Sequence, residues 1–72
     1  MKRDEKTTQE IADALKWMRY KTGHTQREVS EAIGVARRTI GRYEAGERTP
    51  DIFTFKELVD FYGYRMDFIK ND

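Results

Sequence analysis

The sequence predicts an all-α fold: one compact domain of four helices and a short fifth. Apolar residues recur at three- and four-residue spacing, glycines punctuate the chain at Gly23, Gly34, Gly46 and Gly63, and a single proline interrupts a chain well supplied with Glu, Lys, Arg and Ala. With 72 residues there is room for one core and no second domain. The absence of cysteine excludes disulfide scaffolds and cysteine zinc sites, and a lone histidine excludes a two-histidine metal motif, so neither metal nor cofactor is expected. No apolar run exceeds two residues, which leaves neither a membrane span nor the core of a secretory signal and points to the cytoplasm.

The charged opening, residues 1–6, lacks periodicity and is expected to be a flexible N-terminal segment preceding a domain at 7–70. Helix 1 is expected from about Thr8 to Lys21, capped by Thr7 with Glu10 reaching back, and carrying Ile11, Leu15 and Met18 on one stripe. Thr25 and Glu28 form a second capping box for a two-turn helix 2 with Val29, Ala32 and Ile33 inward. The four punctuating glycines, Gly34 among them, read as left-handed helix ends. Helix 3 runs from Arg37 to about Ala45. Thr49, Pro50 and Asp51 are the next start signal, with the proline suited to a first turn, and Ile52, Phe55, Leu58, Val59 and Tyr62 give helix 4 its apolar face. A last short helix, Arg65 to Ile69, has no good cap.

The net charge of +1, from 14 basic and 13 acidic residues, is unevenly placed. Residues 24–49 hold five arginines, and the stretch Val35 to Tyr43 contains Arg37, Arg38 and Arg42 without one carboxylate. At about 100° per residue these arginines and Gly41 share one arc of helix 3, while Thr39, Ile40, Tyr43 and Glu44 take the other. An interior helix glycine costs about 1 kcal/mol against alanine. Gly41 inside the arginine arc therefore suggests a surface that another body approaches closely. Arginine is shaped to fork onto phosphate or a guanine edge, and a helix fits the major groove of DNA. A solvated charged face is the plainer alternative, and the lack of acids within the arc weakens it.

The stretch TQREVSEAIGVARRTIGRYEAGERTP, Thr25 to Pro50, resembles the helix-turn-helix of the Cro and lambda-repressor (XRE) family. The resemblance rests on Thr-Gln opening helix 2, small Ser30, Ile-Gly-Val at the turn, Ile40 mid-helix, and Tyr-Glu-x-Gly followed by proline; with Leu15, Arg19, Leu58, Tyr62, Gly63 and Met66 it covers about residues 8–69. It implies a compact five-helix lambda-repressor-like domain, with the helix-turn-helix at about 25–45 and helix 3 as reader. It implies base reading by Arg37, Arg38, Thr39 and Arg42, backbone contacts at Gln26, Ala36, Ala45 and Arg48, and a structural ion pair between Arg19 and Glu44. The chain departs from the family pattern at Ala36, where a hydroxyl or Asp is favoured as the cap, at Ser30, usually alanine, and at Gly41, which often carries a base-reading side chain.

These readings lead to a sequence-specific double-stranded-DNA-binding transcriptional regulator from a prokaryotic cell, phage or plasmid, acting as a repressor by occupying its operator. Nothing resembles a catalytic carboxylate pair or an activated nucleophile, so no enzyme is expected. Six of the nine aromatics lie in the last third of the chain, more than one small core needs, so a homodimer through this segment on a near-palindromic operator is expected. The alternative is an antitoxin-like or adaptor module that binds another protein through the helix 4/5 surface. His24 is expected to face solvent, and Trp17 and Tyr20 to be core or half-buried.

Overall fold

The computed structural model describes residues 5–71, which form α1 (Glu5–Thr22), α2 (Gln26–Ile33), α3 (Arg37–Ala45) and α4 (Ile52–Phe61), with no strand among them. Residues 1–4 of the expected flexible segment lie outside the described residues. Glu5 and Lys6 belong to α1, so Thr7 and Glu10 stand within the helix rather than at its cap. No glycine or proline interrupts the chain between Glu5 and Thr7, and Glu5 places a negative charge in the first turn, where the helix dipole favours it.

The bounds of α2 and α3 follow local signals. Thr25 Oγ1 accepts from the Glu28 N–H at 3.1 Å while the Thr25 N–H donates to Glu28 Oε1 at 2.8 Å, so the expected capping box is present. Gly34 then adopts φ 80°, a conformation that costs a residue with a Cβ, and its N–H closes on the Ser30 carbonyl at 2.9 Å. The cap of α4 is Asp51, whose Oδ1 accepts from the Thr54 N–H at 2.8 Å. Pro50 is buried just before that cap rather than in the first turn.

Leu15 and Met18 of α1, Val29 of α2, Ile40 and Tyr43 of α3, and Leu58, Val59 and Tyr62 of the α4 region form one buried cluster. α3 packs against both α1 and α2, and α4 closes the cluster from beneath those two helices. Two expected inward residues are exposed, Ala32 and Ile52.

The fifth helix is absent: residues 64–71 are not helical. Tyr64, Arg65 and Met66 border a groove beside α1, with the Tyr64 ring 5.7 Å from that of Trp17, while Asp67, Phe68 and Ile69 beyond them are exposed. Five residues without a cap supply too few hydrogen bonds to offset helix nucleation. The five-helix expectation is thereby corrected to four.

Candidate nucleic-acid interface

The interface is built around the turn between α2 and α3. Ser30 Oγ donates to the Val35 carbonyl at 2.6 Å, tying the end of α2 to the start of α3 across Gly34. An alanine there would fill the same space without that bond. Ala36 caps α3 with no side-chain hydrogen bond, and its carbonyl receives the N–H groups of Thr39 and Ile40. The first N–H groups of α3 therefore have no side-chain oxygen from the cap.

The orientation of α3 is held from inside. Arg19 Nε and Nη2 donate to Glu44 Oε2 and Oε1 at 2.6 and 2.8 Å, a forked pair between α1 and α3 whose side chains are 11% and 5% exposed. Arg19 Nη1 reaches the His24 carbonyl at 3.1 Å, and Gln26 Nε2 donates to Glu44 Oε1 at 3.2 Å. The Glu44 carboxylate thus joins α1, α2 and α3, and Arg19 ties in the α1–α2 turn. The hydrogen bond to Glu44 raises the Arg19 pKa further above its ordinary range, so the guanidinium stays charged at any pH the fold survives. Tyr62, buried nearby, has its phenol pushed up to about 12, by burial first and by the Glu44 charge second.

On the outer arc of α3, Arg37, Arg38 and Arg42 are exposed, and among the described residues no carboxylate forms an ion pair with any of them. Gly41 lies between them, and a Cβ there would meet only the Gln26 amide, at 3.6 and 3.9 Å, which is ordinary contact. The fold itself does not require a glycine at 41. Gln26 is half-buried, its amide lying between Gly41 and Glu44. Arg48 is exposed in the loop after α3, and its N–H donates to the Arg42 carbonyl at 3.3 Å, which keeps the loop against the end of the helix. Ala36 and Ala45 are exposed at the two ends of α3. Thr39 is half-buried and lies off the arginine arc.

Sequence reasoning passed over Arg27. It is exposed one residue after Gln26 and lines, with His24, Thr25, Gln26 and Arg37, an open basin of about 320 Å³ at the start of α2. The available signal was a basic residue in the first turn after the cap, two positions from the motif's opening threonine. His24 is not the plain solvent-facing residue expected: it is half-buried, its ring 4.8 Å from that of Phe61. Trp17 and Tyr20 are exposed rather than core or half-buried, and the Arg19 guanidinium lies 4.8 Å from the Tyr20 ring centre.

A sequence model of the family described as Helix-turn-helix matches residues 15–69. The chain is also similar to an SPbeta prophage-derived uncharacterized HTH-type transcriptional regulator, YonR, of Bacillus subtilis (strain 168), with 32% identity over 59 residues. That match takes in 82% of this chain and 55% of the relative, so the chain spans about half the relative's length. No solved structure gives a significant match. Among the described residues, no helix is long and apolar enough to cross a membrane.

Proposed function

Because this chain belongs to the XRE-type helix-turn-helix family, we propose that it is a sequence-specific double-stranded-DNA-binding transcriptional regulator, a repressor that occupies its operator with α3 in the major groove. One observation carries the reading: three exposed arginines surround a glycine on α3, without a carboxylate partner among the described residues, on a helix whose opposite face is locked by a buried ion pair. Arg38 and Arg42 read base edges from the arc, with Arg37 at its border and half-buried Thr39 beside it. Gln26, Ala36, Ala45 and Arg48 meet the phosphate backbone on either side. The acidic excess of the last third, five acids against three bases from Pro50 onward, lies on the α4 side and would face away from DNA. Two copies present two reading helices to successive major grooves of a near-palindromic site, about 34 Å apart. Selection from a random duplex library tests the reading, since it should converge on one near-palindromic sequence; a pool that never converges would leave only general affinity for DNA.

A second reading has its own observation. Ile52 and Phe53, the latter 81% exposed, stand side by side on the first turn of α4 above an open apolar groove. An antitoxin-like or adaptor role would place another protein there. Phe53→Asp separates the readings, because it should leave DNA binding unchanged and abolish a protein complex that forms through this turn.

A further inference from the structure

A groove between α1 and α4 is bordered by none of the residues assigned to DNA. At about 100° per residue Glu10, Asp13 and Trp17 stand on the other side of α1 from Arg19, the residue that ties this helix to α3. Met18 of α1, Phe55 and Val59 of α4 and Met66 give the groove an apolar bed, in an open volume of about 580 Å³. Such a volume falls within the range of about 300–1,000 Å³ typical of small-molecule sites. Two rings stand at its edge. Trp17 and Tyr64, 52% and 38% exposed, have centroids 5.7 Å apart and planes at 53°, an open angle that admits a flat apolar group.

The charge beside these rings is negative. Glu10 and Asp13 border the same groove, two turns and one turn before Trp17 on its face of α1. Among the described residues neither carboxylate forms an ion pair, and Asp13 Oδ1 accepts from the neutral Gln9 amide at 2.8 Å. Two bases stand nearby, and both are directed elsewhere. The Arg65 guanidinium faces Asp67 at 3.5 Å, and the Lys21 ammonium lies 5.7 Å from the Trp17 ring centre, one turn past that ring and so at the far end from the carboxylates.

We infer that this groove binds a small amphipathic organic cation, an aromatic body carrying a protonated amine on a short tether. The body lies against Trp17 and Tyr64 over the two methionines, and the amine donates to Glu10 and Asp13. With a rise of 1.5 Å per residue the carboxylates branch from α1 about 6 and 10 Å before Trp17, a span that a fused ring and a short tether cover. Lys21 repels the same charge at the other end, which fixes the direction in which the ligand lies.

Tryptamine, tryptophol and indoleacetate share one ring system and end in a positive, a neutral and a negative group. Their binding is followed by two-dimensional NMR of the isotope-labelled chain, without DNA. Tryptamine should saturate in the millimolar range, as its few heavy atoms allow, and shift amides of α1, α4 and the Tyr64–Met66 stretch. It should bind about three- to ten-fold more tightly than tryptophol, with indoleacetate weakest. Glu10→Gln combined with Asp13→Asn should remove that preference and leave tryptophol unchanged, and both positions are exposed, so the fold tolerates the change. Trp17→Ala should weaken tryptamine and tryptophol alike. No saturable binding of tryptamine, a tryptophol that binds as tightly, a preference that survives the double variant, or shifts centred on α3 would each overturn the inference. Since DNA is absent, a failure here stands apart from any failure of the DNA-binding reading.

Discussion

At the scale of single residues, Glu44 illustrates how a buried charge can serve orientation more than stability. Its carboxylate accepts from Arg19 and from Gln26, so Glu44→Gln would leave the Arg19 guanidinium buried without a counter-charge. Unfolding in urea should show a loss of about 3–5 kcal/mol. Replacing both partners together, Arg19→Met with Glu44→Leu, should cost far less, because no charge is then stranded. A double variant as weak as the single one would show that the pair stabilises outright. Gly41 offers the opposite case. Its missing Cβ would meet only the Gln26 amide at 3.6 Å, and helix propensity favours alanine, so Gly41→Ala should raise stability by about 0.5–1 kcal/mol while weakening binding to the preferred duplex. A loss of stability would show that the helix needs the gap for its own packing.

At the scale of elements, two helix-cap carboxylates each make a small acid-sensitive contribution to the fold. Asp51 is held below its ordinary value of 3.8 by the Thr54 N–H, and Glu28 below 4.5 by the Thr25 N–H. A carboxylate whose pKa is lower folded than unfolded adds stability at neutral pH that disappears as pH falls below those values. Tyr62 works in the other direction. Its raised pKa, about 12, favours the neutral phenol in the folded state, so stability should fall as pH climbs from 10 toward 12. Thermal melts across that alkaline range should show the decline reduced in Tyr62→Phe; an identical decline would assign it to another group. The elements differ in how plainly the sequence announces them. The bounds of α2 and α3 were readable because a threonine, a glutamate and two glycines act within a few residues of where they stand. The missing fifth helix was not, since Met66 and Ile69, three residues apart, fit a helical count although Ile69 finds nothing to pack on. The arginine arc could be read from charge and angle alone, whereas partners 25 residues apart, Arg19 and Glu44, had no local signature and came only from the family resemblance. The role of Gln26 between Glu44 and Gly41 depends on helix packing, which no spacing rule reports.

At the scale of the whole molecule, nearly balanced charge is sorted by face, with bare arginines on α3 and an acidic excess from Pro50 onward. Such sorting orients a protein of net charge +1 on a polyanion that its net charge would barely attract. Arg48 should contribute through this general attraction. Its truncation to alanine should weaken every duplex alike and make the slope of log affinity against log salt shallower by about 0.9. An unchanged slope would place it away from phosphate. The central claim is that the α3 arc reads sequence, and fluorescence anisotropy of Arg38→Ala and Arg42→Ala tests it most directly, on the selected duplex and on random DNA at one salt concentration. Each variant should lose about 1–3 kcal/mol on the selected duplex and much less on random DNA. Equal losses on both would contradict the account, leaving these arginines as phosphate contacts and the reading of sequence to another surface.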